Sequence, residues 1–403
     1  MRSVAVVGAS LAGLWAARAL REQGFDGRLT LIGAEPHRPY DRPPLSKEFL
    51  AGTMTEADLA LEDAGEDLGA EWRLGVPAAG LTPRGSAGYA VTLGDGTSVA
   101  ADGVVIATGA TARSLPWNLP GVHTLRTLDD ARALRADLVP GRRLVVVGAG
   151  FVGAEVAATA HSLGLDVTIV EIAPAPSARA LGSRMGHALA GLHEDRGVRV
   201  LCGVAVRAVT GGDRVDGVLL DDGRSLPADV VLAGIGASPA VGWLAGSGVD
   251  LCGDSGDPGG SSGGSGGGVR CDAGGATNLP GVVAVGDCAA WYDPGLGRHH
   301  RVEHWTGAVR RPETAARTLL SGGAAEPGAP EPPYLWSDQY GLRVQFAGHA
   351  GPADEVTVEE GDVDARSFLA VYRRDGRATA VLAVDRVRPF GRWRRRIEPA
   401  GAR

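Results

Sequence analysis

Three glycines, Gly148, Gly150 and Gly153, stand in the order Gly-x-Gly-x-x-Gly directly after the apolar run RLVVV and directly before AEVAATAHSLG. Glycines at this spacing let a turn close tightly and let its backbone approach a pyrophosphate, with the N-terminus of the following helix facing the anion. Glu171 ends the next apolar run, DVTIVE, where an acid hydrogen-bonds an adenosine ribose. Such an acid repels a 2′-phosphate, so NADH is favoured over NADPH, although Arg179 is close enough in sequence to weaken that preference. The alternative, a structural turn followed by an ordinary exposed glutamate, is disfavoured by the complete succession of strand, turn, helix and strand.

The pattern occurs twice. SVAVVGASLAG at 3–13 is echoed by RLVVVGAGFVG at 143–153, and in the first copy Gly8, Ser10 and Gly13 occupy the glycine positions. A small polar residue replaces the middle glycine, and the nearest acid, Glu35, follows Ala34 a little beyond the usual ribose position. Two dinucleotide sites in one chain imply two nucleotides that exchange something, and a flavin with a nicotinamide is the pairing that suits hydride transfer. One further residue stands out by rarity: of 40 basic residues only Lys47 is a lysine. Either it survives by chance, or it does work that needs a compact ammonium rather than a planar guanidinium.

Each Gly-rich turn must sit between a buried strand and a helix, LWAARALREQG in the first copy and AEVAATAHSLG in the second, and a second strand follows each. This is a βαβ unit twice over, so parallel sheets are expected. VVIATGAT at 104–111 ends the first unit, PADVVLAGIGASP closes the second, and the apolar GVVAVGDCAAW from 281 returns the chain to the first domain. The Gly/Ser-rich stretch 253–268 reads as a surface loop, and SGGAAEPGAPEPP at 321–333 as a second break before a strand-rich end. The expected domains are 1–112 with 243–322, 113–242, and a small α+β domain at 323–403.

With 44% apolar and 22% charged residues among 403, the chain has the composition of a globular protein of two or three domains. No apolar run of about eighteen residues is present, and Met1 and Arg2 lead straight into a strand, so no signal peptide or membrane span is expected and the protein is expected to be cytoplasmic. A net charge of −7 argues against a nucleic-acid partner. The four cysteines, Cys202, Cys252, Cys271 and Cys288, form no CxxC pair, so neither a metal site nor a redox dithiol is expected.

RPYDRPPLSKEFL at 38–50, ATG at 107–109, GDCA at 286–289, EHW at 303–305 and WSDQYG at 336–341 together resemble the FAD-dependent ferredoxin reductases of bacterial oxygenase systems. These belong to the two-dinucleotide-fold superfamily that includes glutathione reductase, and the resemblance runs nearly end to end. It implies an α/β fold with two Rossmann-like domains of the glutathione reductase type and a small α+β C-terminal domain. For FAD it implies contacts from Gly8, Ser10, Ala12, Gly13, Ala34, Glu35, Arg42, Lys47, Ala78, Ala107, Thr108, Gly109, Arg126, Gly286, Asp287 and Trp305. Here Gly8, Ala12 and Gly13 hold the pyrophosphate, Asp287 the ribityl chain, and Trp305, read from composition alone as a core aromatic, lies by the ring with Trp336 a neighbour. For the nicotinamide nucleotide it implies Gly148, Gly150, Phe151, Val152, Gly153, Glu155, Glu171, Arg179 and Gly236. Lys47 and Glu155 become the catalytic pair, with the ammonium near flavin N5 and Glu155 on the first turn of the second helix as its partner. The chain departs from the family in HWTGAVRRP, which puts Pro312 and two arginines where the helix is expected to begin.

Thiol-using relatives carry redox cysteines that this chain lacks, since none precedes Cys202. Electrons then leave directly from the flavin, which accepts two as hydride and releases them singly. The acceptor implied is a 2Fe-2S ferredoxin serving a haem monooxygenase or ring-hydroxylating dioxygenase. Arg310 and Arg311, or Arg392, Arg394, Arg395 and Arg396 beside Trp393, are candidates for a patch that docks an acidic ferredoxin, and a plain solvated face is the alternative for each. Two other readings stay open: a flavin reductase of rubredoxin, quinone or oxygen, and a redox-responsive binding protein resembling apoptosis-inducing factor.

Overall fold

The computed structural model describes residues 1–253, 267–323 and 332–397. Most of the Gly/Ser-rich stretch, 254–266, and most of the second break, 324–331, lie outside the described residues.

The first sheet is parallel and centred on Ser3–Val7, with Arg28–Ile32 on one side and Gly103–Ile106 on the other. Ala70–Arg73 and Val282–Ala284 complete it, so the chain after 281 does rejoin this sheet. Val4, Ala5, Val6 and Val7 are each no more than 1% exposed, which an unbroken apolar run permits only when both faces of a sheet are covered. The helices Leu11–Glu22 and Trp305–Leu320 pack on each other and into the same core. The second sheet repeats the plan: Arg143–Val147 lies between Asp166–Glu171 and Val230–Ala233, with Arg199–Cys202 and Val122–His123 outermost. The internal repeat extends to single hydrogen bonds, since Gly8 N donates to Ile32 O at 2.7 Å and Gly148 N to Val170 O at 2.7 Å.

The last sheet is antiparallel, in the order Tyr334–Gln339, Leu342–Gly348, Arg377–Val384, Ser367–Arg374, Glu355–Asp362. One face packs Phe346, Phe368 and Tyr372 against Leu181, Met185, Leu189 and Leu192 of the helical segment Ala178–Glu194, which kinks at Gly182 and belongs to the second unit. The other face receives Phe390 of the terminal helix Val387–Arg394. The strand Tyr334–Gln339 also lies beside the helix Phe151–Ser162, so the C-terminal sheet is built into the second unit on two sides.

One expectation fails in detail. The helix expected to begin near Pro312 runs from Trp305 to Leu320 with Pro312 inside it. A proline there removes one N–H and crowds the carbonyl four residues earlier, at a cost of about 3 kcal/mol. Burial of Ala308, Ala315, Ala316 and Leu319 against the first core offsets that cost. Among the described residues no helix is long and apolar enough to cross a membrane.

Candidate active site

Both Gly-rich turns are built by close backbone approach. Gly8, at φ 118°, leaves no room for a side chain, because a Cβ would stand 2.1 Å from Ala107 O, and one on Gly13 would stand 1.8 Å from Gly8 O. Gly148, at φ 100°, faces Gly234 O in the same way, at 2.4 Å. Gly150 differs, since a Cβ there would meet nothing within 4 Å. Packing therefore does not require that glycine, and its open side suits a ligand that touches backbone. The two helices that follow, Leu11–Glu22 and Phe151–Ser162, have neither a side-chain cap nor an acid in the first turn. By contrast Leu128–Asp137 carries a complete capping box from Thr127 and Asp130. Two helix starts left with bare N–H groups and an unopposed positive dipole end fit two pyrophosphates.

Glu171 is held beside the second turn, where its carboxylate accepts from Ala149 N at 2.6 Å and Ala173 N at 2.8 Å. Phe151 and Val152 open the helix, with Val152 46% exposed, while Arg179 and Gly236 are solvent-facing. Around the first turn the Arg42 guanidinium joins Glu35 at 2.6 Å, Ser10 Oγ at 3.3 Å and Arg126 O at 2.5 Å. Arg126 in turn reaches Asp287 at 2.7 Å and Ala110 O at 2.9 Å, next to Gly109. Gly286 approaches Ala12, and Thr108 Oγ1 donates to Ala240 O at 2.7 Å. Residues from 10 to 287 thus converge at the carboxyl ends of the strands of the first sheet. Ala34 is exposed and Ala78 half-buried in the neighbouring strand Ala78–Pro83; neither makes a polar side-chain contact to these groups.

The two units meet at a buried ion pair. Lys47 Nζ lies 2.9 Å from Glu155 Oε2, with side chains 11% and 6% exposed. Glu155 is the fifth residue of its helix, one past the first turn where it was expected, and so points across to the Pro43–Ser46 turn instead of into the glycine cradle. Trp305 Nε1 donates to Asp41 Oδ1 at 2.9 Å, and Trp336 meets Trp305 edge to face at 6.1 Å. Burial raises the Asp41 carboxyl above its usual range, against the opposing pull of the indole N–H and the Lys47 charge. His304, one residue before Trp305, is pushed down to about 4 by burial, and its Nδ1 has no hydrogen-bond partner.

Residues 2–311 match the pyridine nucleotide-disulphide oxidoreductase family and residues 334–402 the reductase C-terminal family. The chain belongs to the pyridine nucleotide-disulphide oxidoreductases. It is 39% identical over 404 residues to the chlorobenzene dioxygenase ferredoxin reductase component of Cupriavidus sp. (strain PS12), covering 99% of this chain and 93% of that one. It is 38% identical over 400 residues to the benzene 1,2-dioxygenase system ferredoxin–NAD(+) reductase subunit of Pseudomonas putida, covering 98% and 92%. Among solved structures, putidaredoxin reductase in its covalent complex with putidaredoxin matches at a TM-score of 0.88 and 30% identity, over 97% of this chain and 92% of that one.

Cys271 and Cys288 are buried, and burial raises the thiols of Cys202, Cys271 and Cys288, which disfavours the reactive thiolate. Of the arginines proposed for docking, Arg310, Arg392, Arg395 and Arg396 are exposed. Arg311 is not a surface charge: it stacks 5.0 Å from the Trp291 ring, and burial lowers its pKa. Position 311 falls on the inward side of a helix that starts earlier than expected. Arg394 is half-buried over Tyr334 at 4.5 Å. Sequence reasoning passed over Ser46 and Ser337, whose hydroxyls both donate to Glu155, although each lies inside a quoted motif, PPLSK and WSDQYG.

Proposed function

We propose that this protein is an FAD-dependent ferredoxin reductase that takes electrons from NADH and delivers them to a 2Fe-2S ferredoxin of a haem monooxygenase or a ring-hydroxylating dioxygenase. The observation that carries the reading is the buried Lys47–Glu155 pair, which joins the first unit to the helix that follows the second Gly-rich turn, in a chain where burial raises the thiols of Cys202, Cys271 and Cys288. The relatives named for dioxygenase systems support the same reading.

FAD supplies the hydride acceptor and the one-electron donor. Gly8, Ser10, Ala12 and Gly13 would hold its pyrophosphate at the first helix start, with Glu35 near the adenosine ribose and Arg42, Arg126 and Asp287 along the chain that leads to the ring. Gly148, Gly150 and Gly153 would hold the NADH pyrophosphate and Glu171 its ribose. The Lys47 ammonium would offset negative charge on a flavin bound beside it, and Glu155 holds the ammonium in place. Trp305, held by Asp41, would shield the ring from water. In this reading the unit 1–112 with 243–322 takes FAD, the unit 113–242 takes NADH, and 323–403 forms the C-terminal domain. The test is a visible spectrum of the purified protein, then anaerobic NADH titration with a 2Fe-2S ferredoxin. A yellow protein bleached by NADH that reduces the ferredoxin is expected, whereas a protein that stays colourless after incubation with FAD would overturn the reading.

A further inference from the structure

The Glu155 carboxylate takes hydrogen bonds from segments far apart in sequence. Lys47 Nζ at 2.9 Å and Ser46 Oγ at 2.5 Å donate to Oε2, and Ser337 Oγ donates to Oε1 at 2.8 Å. Ser337 is 0% exposed, and Gln339 Nε2, itself buried, donates to its oxygen at 3.1 Å. With the oxygen engaged by an amide donor, the single hydroxyl proton of Ser337 is directed at Glu155. Thr159, one helical turn beyond Glu155, donates to Ser46 O at 2.9 Å and ties the helix to the same turn. Ser46 and Lys47 come from the first unit, Glu155 and Thr159 from the second, and Ser337 and Gln339 from the C-terminal sheet.

The ammonium of Lys47 sits at the end of four rotatable bonds, and the carboxylate is its one hydrogen-bond partner among the described residues. Where Glu155 points therefore decides where the charge of Lys47 stands. Donors on Oε2 alone would leave Oε1 buried without a partner, and the carboxylate would turn to share what remains. We propose that Ser337, oriented by Gln339, is a positioning residue for the Lys47–Glu155 pair, so that the C-terminal sheet forms part of the hydride-accepting site. This rests on the NADH-to-FAD reading above.

Anaerobic stopped-flow reduction of the holoenzyme by NADH tests it. In Ser337→Ala the limiting rate of flavin reduction is expected to fall about tenfold, with the half-saturating NADH concentration and FAD content unchanged. Ser337→Thr, which keeps the hydroxyl, restores most of the rate. In a Lys47→Met background the Ser337→Ala change adds no further loss of rate, because its effect passes through the ammonium. A merely structural role would lower thermal stability without this split or this non-additivity. Ser337→Ala reduced at the wild-type rate, or a full further loss in the Lys47→Met background, overturns the proposal. Should Ser337→Ala not retain FAD, Ser337→Cys fills nearly the same space with a weak donor, and a wild-type rate there overturns it equally. The wild-type control separates the two failures: no bleaching by NADH refutes the functional reading, whereas normal bleaching with an unaffected Ser337 variant refutes only the positioning role.

Discussion

Lys47→Met removes a charge at a site where Glu155 keeps two other donors, so the fold should survive. Flavin reduction at saturating NADH should slow roughly a hundredfold, the scale for loss of one preorganised charge at a reacting centre. Stopped-flow traces with unchanged FAD content check this, and unchanged kinetics would remove the role. Three histidines give a pH prediction at the same scale. Burial lowers His193, His300 and His304 to about 4. In the unfolded chain an imidazole titrates near about 6.5, so between these values the unfolded state binds protons that the native state does not. Their contribution is complete above about pH 6.5 and is lost as pH falls toward 4, by up to about 1.4 kcal/mol per pH unit for each group. The thermal midpoint should therefore drop across that window, and less steeply in His304→Gln. The rarity of Lys47 was visible in the sequence, but burial of the three histidines was not, because it depends on which neighbours cover them.

The glycines of one turn have unlike duties. Gly148→Ala would drive a Cβ against Gly234 O, 2.4 Å away, at a positive φ, and should cost several kcal/mol of stability. Gly150, at φ −73° and with open space beside it, should accept alanine with little change in melting temperature. The same substitution puts a methyl where a pyrophosphate would lie, so the KM for NADH should rise about tenfold or more while the fold holds. Calorimetry and steady-state kinetics on the two variants give opposite patterns if the cradle is assigned correctly. The repeat announced both turns, because glycine spacing and apolar runs are local signals. The helix Trp305–Leu320 was legible only in part: Pro312 marks an ordinary helix boundary, and the burial that overrides it comes from the first core, remote in sequence.

For the whole molecule, a net charge of −7 must be reconciled with an acidic partner, and the exposed Arg392, Arg395 and Arg396 at the C-terminal helix supply local positive charge. Reversing them to glutamate should lower ferredoxin reduction about tenfold at low ionic strength, with the difference shrinking as salt rises. NADH reduction of the bound flavin should be unaffected. A triple variant that turns over ferredoxin normally at low salt removes this surface from consideration, leaving Arg310 among the exposed candidates.

The amino-acid sequence by itself determined two βαβ units, their Gly-rich turns, the acid after the second strand and the single lysine, since each is a matter of residue type and short spacing. The tertiary structure alone decided that Lys47 and Ser337 share the Glu155 carboxylate, that Arg311 faces inward onto Trp291, and that the C-terminal sheet is covered by a helix of the second unit. Those relations join segments more than a hundred residues apart, or depend on the rotation of a helix about its axis. No local pattern encodes them, because they follow from how the packed units exclude water from the junction between them.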